Sequence, residues 1–266
     1  MAVYITGDLH GYQSITRFNE EQFPLQKELT REDYVIICGD FGLLWNDGHE
    51  EHRWLDWLER KPFTLLWIDG NHENFDMLAR FPVRNWHGGK VQFIRENVIH
   101  LCRGSMFDID GKSVFAFGGA NSLDKWARIE GESWWAAEMP TAEEYEYGRQ
   151  VLKQAKNHAD IILTHSAPSY LLKETLGFGG DAVTDYFEEL WQTCTFKHWF
   201  SGHYHKDIVR AYKGEPKGYF HYVYNKILRL NRNGTLSNFW VEPKIENAHF
   251  LSFHQWQQFM REHGKL

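Results

Sequence analysis

Five short segments of the sequence are rich in Asp, His and Asn, the residue types that bind metal ions or transfer protons. Most of them directly follow a short run of apolar, strand-like residues, so one fold could bring their oxygen and nitrogen atoms together. A site for two metal ions requires such a convergence. The segments are Gly7-Asp8-Leu9-His10-Gly11, Gly39-Asp40, Gly70-Asn71-His72-Glu73, Thr164-His165 and Gly202-His203-Tyr204-His205.

This set of donor atoms favours particular metals. Carboxylate oxygens, an amide oxygen and neutral imidazoles together suit borderline divalent ions such as Mn, Fe, Zn or Co. Mg or Ca alone would favour more oxygen and less histidine. One carboxylate can bridge two cations about 3.5–4 Å apart, and a hydroxide can bridge them as well. The same pair of cations can bind phosphoryl oxygens and neutralise the charge that develops on them.

The elements that must position these residues alternate between strand and helix in the first half of the chain. This alternation predicts a parallel sheet at the core. The predicted strands cover residues 2–6, 34–38 and 64–68, and the predicted helices cover residues 12–23, 50–60 and 73–80.

The second half begins with closely spaced strands. Turn signals such as Asp110-Gly111 predict an antiparallel hairpin from residues 106–109 and 114–117, after a strand at residues 98–101. A capping box, Thr141-x-x-Glu144, predicts a helix over residues 141–157. Further strands are predicted at residues 160–163, 198–200, 208–212, 219–224 and 235–241.

These elements predict an α/β fold of two packed mixed sheets flanked by helices. Ligands of open α/β sheets collect beyond the carboxyl ends of the strands, where Asp8, Asp40, Asn71, His165 and His203 are expected. Glycines 7, 39, 70 and 202 would permit tight strand exits. We expect one domain over residues 1–266, with a C-terminal part, about residues 235–266, formed by a strand and an amphipathic helix at residues 252–262 that pack on it.

Composition excludes several classes of protein. Hydrophobic residues make up 42% and charged residues 24% of the 266-residue chain, as in globular proteins, and no apolar stretch approaches the length of a membrane span. A net charge of −7 disfavours electrostatic binding to the phosphate backbone of nucleic acids. Three separated cysteines and a first segment typical of a strand, without a basic leader, predict a cytoplasmic location with reduced thiols.

The five segments, in this order, resemble the motifs of the calcineurin-like metallophosphoesterase superfamily between residues 7 and 205. The resemblance implies a four-layer α/β/β/α sandwich. It implies that Asp8, His10 and His205 bind a first metal ion and that Asp40 bridges to a second. It further implies a second ion bound by Asn71, His165 and His203, with His72 outside the metal ligands and near the leaving-group oxygen.

One departure from the family concerns the Gly-Asp segment. In the protein Ser/Thr phosphatase branch, an Asp stands three residues beyond the bridging Asp and an Arg follows it. Here these positions are Leu43 and Leu44. The carboxylate that orients His72 is therefore left open between Asp47 and Glu73.

Three further residues outside the motifs are candidates for contact with a substrate. Arg128 follows a Gly-rich segment and could bind phosphoryl oxygens through its planar guanidinium group, or be a solvated surface residue. Trp134 and Trp135 could stack on an aromatic leaving group, although core packing is the stronger interpretation.

The sequence thus predicts an enzyme that hydrolyses a phosphate mono- or diester by attack of a metal-bridging hydroxide. The expected catalytic residues are Asp40, Asn71 and His72, and the expected cofactors are two divalent ions, manganese first, with Fe, Zn or Co as alternatives. The substrate could be a small molecule, a nucleotide or a phosphopeptide, with no membrane and no extended nucleic-acid groove involved, and the oligomeric state is open. A metal-binding scaffold without catalysis and a nuclease are the alternatives.

Overall fold

The computed structural model describes residues 1–211, 218–231 and 233–239. Fourteen strands, numbered in chain order, form two mixed sheets within these residues. The first sheet contains β1 Val3–Thr6, β2 Tyr34–Ile37, β3 Thr64–Trp67, β4 Val83–Trp86, β5 Gly89–Arg95, β6 Val98–Leu101, β13 Ile227–Leu230 and β14 Leu236–Phe239. The second sheet contains β7 Ser105–Ile109, β8 Lys112–Phe117, β9 His158–Thr164, β10 Thr195–Ser201, β11 Ile208–Ala211 and β12 Tyr219–Tyr222.

Each sheet has parallel strands at its centre. The first sheet has the order β14-β13-β1-β2-β3-β6-β5-β4, and the second has the order β11-β12-β10-β9-β8-β7. The pairs β1/β2, β2/β3 and β3/β6 are parallel, as are β8/β9, β9/β10 and β10/β12. The carboxyl ends of the central strands therefore meet along one edge of each sheet.

Helices cover the outer faces of the sheets. The α-helices are α1 His49–Glu59, α2 Phe75–Leu78, α3 Ala142–Gln154, α4 Ser169–Leu176 and α5 Ala182–Thr193. Short 3-10 helices cover Gly11–Gln13, Ile15–Phe18, Pro24–Glu28, Lys125–Ala127 and Ala136–Glu138. Helix α3 begins with the predicted capping box, because Thr141 and Glu144 each accept a backbone N–H from the other residue.

Three apolar cores explain the layered arrangement. Between the sheets, alternate residues of central strands such as Ile5 and Ile36 pack with Ile161 of the second sheet. A second core lies between the other face of the first sheet and α1, and a third lies between the second sheet and α4 and α5. Since successive strand residues point to opposite faces, these strands are apolar on both faces. The predicted four-layer α/β/β/α sandwich is confirmed.

The predicted helix at residues 12–23 is wrong. This stretch forms two 3-10 turns, Gly11–Gln13 and Ile15–Phe18, before the third begins at Pro24. Ser and Asn residues compete for backbone hydrogen bonds and favour turns over helix interiors. In this conformation, the side chain of Arg17 is directed into the protein and is buried.

Several elements were not predicted from the sequence. They are the hairpin of β4 and β5, the strand β13 and the helices α4 and α5. The predicted tail helix at residues 252–262 lies outside the described residues, so the single-domain boundary stays a prediction. Within the described ranges, the structure contains no helix with the length and apolar character that crossing a membrane requires.

Candidate metal centre

The five sequence segments converge at the carboxyl ends of the central strands. Asp8 follows β1, Asp40 follows β2 and Asn71 follows β3, all in the first sheet. His165 follows β9 and His203 follows β10, both in the second sheet. Three groups of Asp and His side chains there have ligand atoms within 4.8 Å of one another, and they are Asp8/His10/His205, His10/Asp40/His72 and Asp40/His165/His203.

The first group has the character of a cation site. The Nε2 atoms of His10 and His205 lie 2.9 Å apart, and the Nε2 atom of His205 lies 3.1 Å from Oδ2 of Asp8. Burial on its own would raise the pKa of Asp8, but a hydrogen bond from His205 and the charge of His165 lower it. Two imidazole nitrogens and an ionised carboxylate that face one another suit a borderline divalent cation.

The third group, Asp40/His165/His203, shows a similar arrangement around His165. Its Nδ1 donates a hydrogen bond to the carbonyl oxygen of Cys38 at 2.7 Å. The other ring nitrogen, Nε2, lies 3.2 Å from Oδ1 of Asn71 and 3.3 Å from Oδ1 of Asp40. Burial lowers the pKa of His165, but the Asp40 carboxylate outweighs burial and raises it to about 10. A positive charge is therefore favoured at this nitrogen.

Asp40 lies between the first group and the histidines of the third group. Its Oδ1 is close to His165, whereas its Oδ2 lies 3.6 Å from Nε2 of His10. Burial would raise the pKa of Asp40, but the neighbouring charges of His165 and His72 keep it well below its usual range. The residue has a left-handed backbone conformation, φ 51°, at the strand exit. The two oxygens of one ionised carboxylate thus face imidazole nitrogens on two separate sides.

Backbone hydrogen bonds hold the strand exits together. The carboxylate of Asp8 accepts the N–H of His203 at 2.9 Å and 3.1 Å. The carbonyl oxygen of Asp40 accepts the N–H groups of Leu9 and His10 at 3.1 Å and 2.7 Å. These contacts connect the exits of β1, β2 and β10, so the predicted ligands do not depend on a single loop for their positions.

Glycines at the strand exits leave space for the ligands. A Cβ atom on Gly70 would lie 2.0 Å from Oδ1 of Asp40, and one on Gly202 would lie 2.2 Å from Oδ1 of Asp8. At Gly39, which has φ +99°, a Cβ atom would lie 2.0 Å from Nδ1 of His165. The sequence predicted glycines for tight turns, and the structure adds that any side chain there would collide with a predicted ligand.

His72 and Arg128 lie beside each other next to the first group. The guanidinium nitrogens of Arg128 are 3.4 Å and 3.5 Å from the ring nitrogens of His72, and Asp124 forms an ion pair with Arg128 at 2.8 Å. Burial, only partly offset by Asp40, lowers the pKa of His72 to about 3, with His10 among the groups that lower it further. The side chain of Arg128 is 2% exposed, which excludes a solvated surface residue.

The carboxylates considered for His72 have other contacts. Glu73 is buried, and its carboxylate accepts the N–H groups of Phe41, Gly42 and Gly70 at 2.7 Å, 3.2 Å and 3.3 Å. Burial and then the charge of Asp40 raise the pKa of Glu73 well above its usual range. Glu73 therefore joins the loops after β2 and β3. Asp47 contacts His52 and Arg80 near the surface instead.

Sequence reasoning missed Arg17. Its guanidinium donates to the carbonyl oxygens of Gly7, Asp8 and Tyr224 at 3.1 Å, 2.8 Å and 2.9 Å. The ring of Tyr224 in turn stacks on His205, with ring centroids 4.4 Å apart. No local signal could have identified Arg17, because Tyr224 is 207 residues away in the chain.

Trp135 differs from the aromatic platform that was one interpretation of the adjacent tryptophans. Trp135 is buried, and its Nε1 donates to Asp76 at 2.8 Å, while its ring packs edge-on against Trp45. For Trp135, core packing is therefore the structural role. Trp126, a few residues earlier in the chain, is instead strongly exposed, at 86%.

Comparisons with solved structures indicate the fold. A putative 5'-nucleotidase from Staphylococcus aureus, in complex with alpha-ketoglutarate, is similar with a TM-score of 0.50 and 16% sequence identity over 98% of this chain and 58% of that chain. The sulfate thiohydrolase SoxB from Thermus thermophilus, in complex with glycerol, gives a TM-score of 0.44 and 11% identity over 89% and 55% of the two chains. The present chain thus spans less than three fifths of the length of either protein.

Sequence comparisons identify the family. No curated protein sequence matches the chain. The family model described as calcineurin-like phosphoesterase matches residues 1–207, which include all five motif segments. The chain belongs to the calcineurin-like phosphoesterase family.

Proposed function

We propose that this protein hydrolyses a phosphate mono- or diester with the help of two divalent metal ions, manganese first among the candidates. Asp8, His10 and His205 would hold one ion, and Asn71, His165 and His203 would hold the other, with Asp40 shared. When bound, the ions would supply a hydroxide nucleophile and neutralise charge on the phosphoryl oxygens. The position of Asp40, with one oxygen facing His10 and the other facing His165, is the observation that carries the proposal.

The remaining residues of the site have roles toward the substrate. The ring of His72 lies beside that of His10, with centroids 5.1 Å apart. In this proposal, His72 would hydrogen-bond the leaving-group oxygen. Arg128 lies against His72 and would bind phosphoryl oxygens through its guanidinium fork. With Leu43 and Leu44 in place of charged residues, and with a net charge of −7, we favour a small or exposed phosphoester over a long polyanion.

Two substitutions test the assignment by separating metal binding from turnover. Asp40→Asn removes the shared charge, so we expect it to lower both bound metal and hydrolysis. His72→Ala should lower hydrolysis by about 100-fold or more and leave bound metal unchanged. Asp47→Asn is the matched control, because Asp47 also has a left-handed backbone but lies outside the site.

The assay compares 4-nitrophenyl phosphate with bis(4-nitrophenyl) phosphate, before chelation, after chelation and after manganese is restored. Metal content is measured on the same samples. If restored manganese binds but neither ester is hydrolysed, the protein is a metal-binding scaffold and the proposal is wrong. If His72→Ala loses as much metal as Asp40→Asn, His72 is a metal ligand and does not act on the leaving group.

A cytoplasmic location remains a prediction of the sequence.

A further inference from the structure

Two buried residues outside the five sequence motifs, Ser122 and Glu138, form a chain of hydrogen bonds to the amide of Asn71. The Nδ2 atom of Asn71 donates to Oγ of Ser122 at 3.0 Å. The hydroxyl of Ser122 donates to Oε2 of Glu138 at 2.6 Å, and its backbone N–H donates to Oε1 of Glu138 at 2.7 Å. All three residues are buried, at 4%, 2% and 0% exposure in this order. Solvent therefore cannot substitute freely for any of these bonds.

The direction of these hydrogen bonds decides which end of the amide faces the metal centre. Burial raises the pKa of Glu138, and the hydrogen bonds that its two oxygens accept from Ser122 oppose this rise. In its ionised form the carboxylate only accepts hydrogen bonds, so Glu138 receives the single hydroxyl proton of Ser122. The oxygen of Ser122 must then accept from its other neighbour, and only the NH2 end of the Asn71 amide can donate. Oδ1 is consequently directed to the opposite side, where it lies 3.2 Å from Nε2 of His165.

The same pair closes the base of a segment that reaches the substrate side of the site. The segment begins at Ser122 and ends at Glu138. Arg128, which lies within it, contacts His72. Asn71 and His72 are adjacent in the chain, so one short turn is contacted by this segment at two points. A change at Ser122 would therefore reach the Asn71 amide directly.

We propose that Ser122 and Glu138 are positioning residues that fix the Asn71 amide with its oxygen toward the second metal ion. This inference rests on the proposed function, in which Asn71 is a metal ligand. Outer partners of metal ligands commonly contribute about 10- to 100-fold to metal affinity. Ser122 and Glu138 do not touch the metal or the substrate in this scheme, and they affect the metal ion through Asn71.

The test uses manganese titrations of the chelated full-length protein, followed by the electron paramagnetic resonance signal of free Mn²⁺. Ser122→Ala should weaken the affinity of one of two manganese ions by about 10- to 100-fold, because the amide can then present either end. Glu138→Gln should weaken the binding of the same ion. The NH2 group of the new amide can donate to the Ser122 oxygen, and the Ser122 hydroxyl would then donate toward Asn71 instead of accepting from it. Ser133→Ala is the matched control in the same segment, where the hydroxyl accepts the N–H of Ile129 at 2.9 Å.

A second background separates positioning from a general structural effect. Asn71→Asp gives a carboxylate, which offers an oxygen to the metal in either orientation. We therefore expect Ser122→Ala to cost no manganese affinity in the Asn71→Asp background, and to increase it where the Ser122 oxygen repels the new carboxylate. An equal loss of affinity in both backgrounds would overturn the inference, as would an unchanged affinity in Ser122→Ala alone.

The outcomes distinguish this inference from the proposed function. Background-dependent loss of manganese, in protein that hydrolyses no phosphoester, would support the positioning role and overturn the enzymatic proposal. Hydrolysis that depends on manganese, together with a manganese affinity that is unchanged in the Ser122 and Glu138 variants, would support the enzymatic proposal and overturn the positioning role. If Ser122→Ala fails to fold, Glu138→Gln in the two Asn71 backgrounds carries the same comparison.

Discussion

Replacement of Arg17 by Met should destabilise the protein strongly, although Arg17 is not a predicted ligand. Its guanidinium is fully buried and binds the carbonyl oxygens of Gly7, Asp8 and Tyr224 and the hydroxyl of Thr6. Burial lowers its pKa to about 10, so the group remains charged at neutral pH. Met fills a similar volume without any donor, and the substitution therefore removes hydrogen bonds while preserving most of the packing.

The expected cost follows from the carbonyl groups that lose their donor. The carbonyl oxygens of Gly7 and Asp8 each lose a charged donor, and a buried group without a partner costs about 1–3 kcal/mol. We therefore expect Arg17→Met to lower the free energy of unfolding by about 2–6 kcal/mol. Arg17→Lys should recover only part of this loss, because one ammonium group cannot span all of these acceptors.

Urea denaturation in the presence of a chelator, followed by tryptophan fluorescence, measures this quantity without the contribution of metal binding. Arg31→Met is the matched control, because Arg31 also donates to backbone carbonyls, those of Glu59 and Phe63, but is exposed. It should cost less than about 1 kcal/mol, as is usual for exposed sites. Equal losses in Arg17→Met and Arg31→Met would refute the reasoning that burial makes these hydrogen bonds important.

Two other predictions concern space and protonation. Gly202→Ala places a Cβ atom 2.2 Å from Oδ1 of Asp8, so calorimetric titration should show weakened manganese binding, whereas Gly179→Ala, with no atom within 4 Å, should bind normally. Burial, and then the charge of His198, lower the pKa of His221 to about 3. The unfolded chain binds this proton already near pH 6.5, so stability is lost as the pH falls from 6.5 toward 3, by about 1.4 kcal/mol per pH unit. In urea titrations of chelated protein, His221→Phe should lose less stability than wild type between pH 7 and pH 5. An equal loss in the two proteins would show that His221 is not the source of this pH dependence.

The sequence predicted the parts of the site that follow from local patterns. The strand runs before Asp8, Asp40 and His165 are short and apolar, and the exits of parallel strands meet by geometry. The pairing of Arg17 with Tyr224 and the pairing of Ser122 with Glu138 are contacts between distant segments, and no periodicity or capping signal encodes them. Only the three-dimensional packing brings such residues together.

Short elements were the weak point of the sequence prediction for a related reason. The 3-10 turns at Gly11–Gln13 and Ile15–Phe18 contain apolar residues at spacings that also fit an α-helix. In the observed turns, the guanidinium of Arg17 binds the carbonyl oxygens of Gly7 and Asp8, contacts that the apolar spacing does not reveal. The helices Ser169–Leu176 and Ala182–Thr193 fell between motifs, where the sequence was interpreted through its strand-like runs. Their apolar residues become informative only once they are seen against the outer face of the second sheet.

The two sheets contribute to the proposed centre in a way that affects stability as well as chemistry. Asp8, His10, Asp40 and Asn71 come from the first sheet, and His165, His203 and His205 come from the second. Each ion would therefore be coordinated from both sides and would act as a cross-link between two halves of the sandwich. Separation of the halves would require release of the ions, and every tenfold rise in free metal above the dissociation constant would add about 1.4 kcal/mol per ion against it. Starvation for metal would then reduce the amount of intact protein together with its activity.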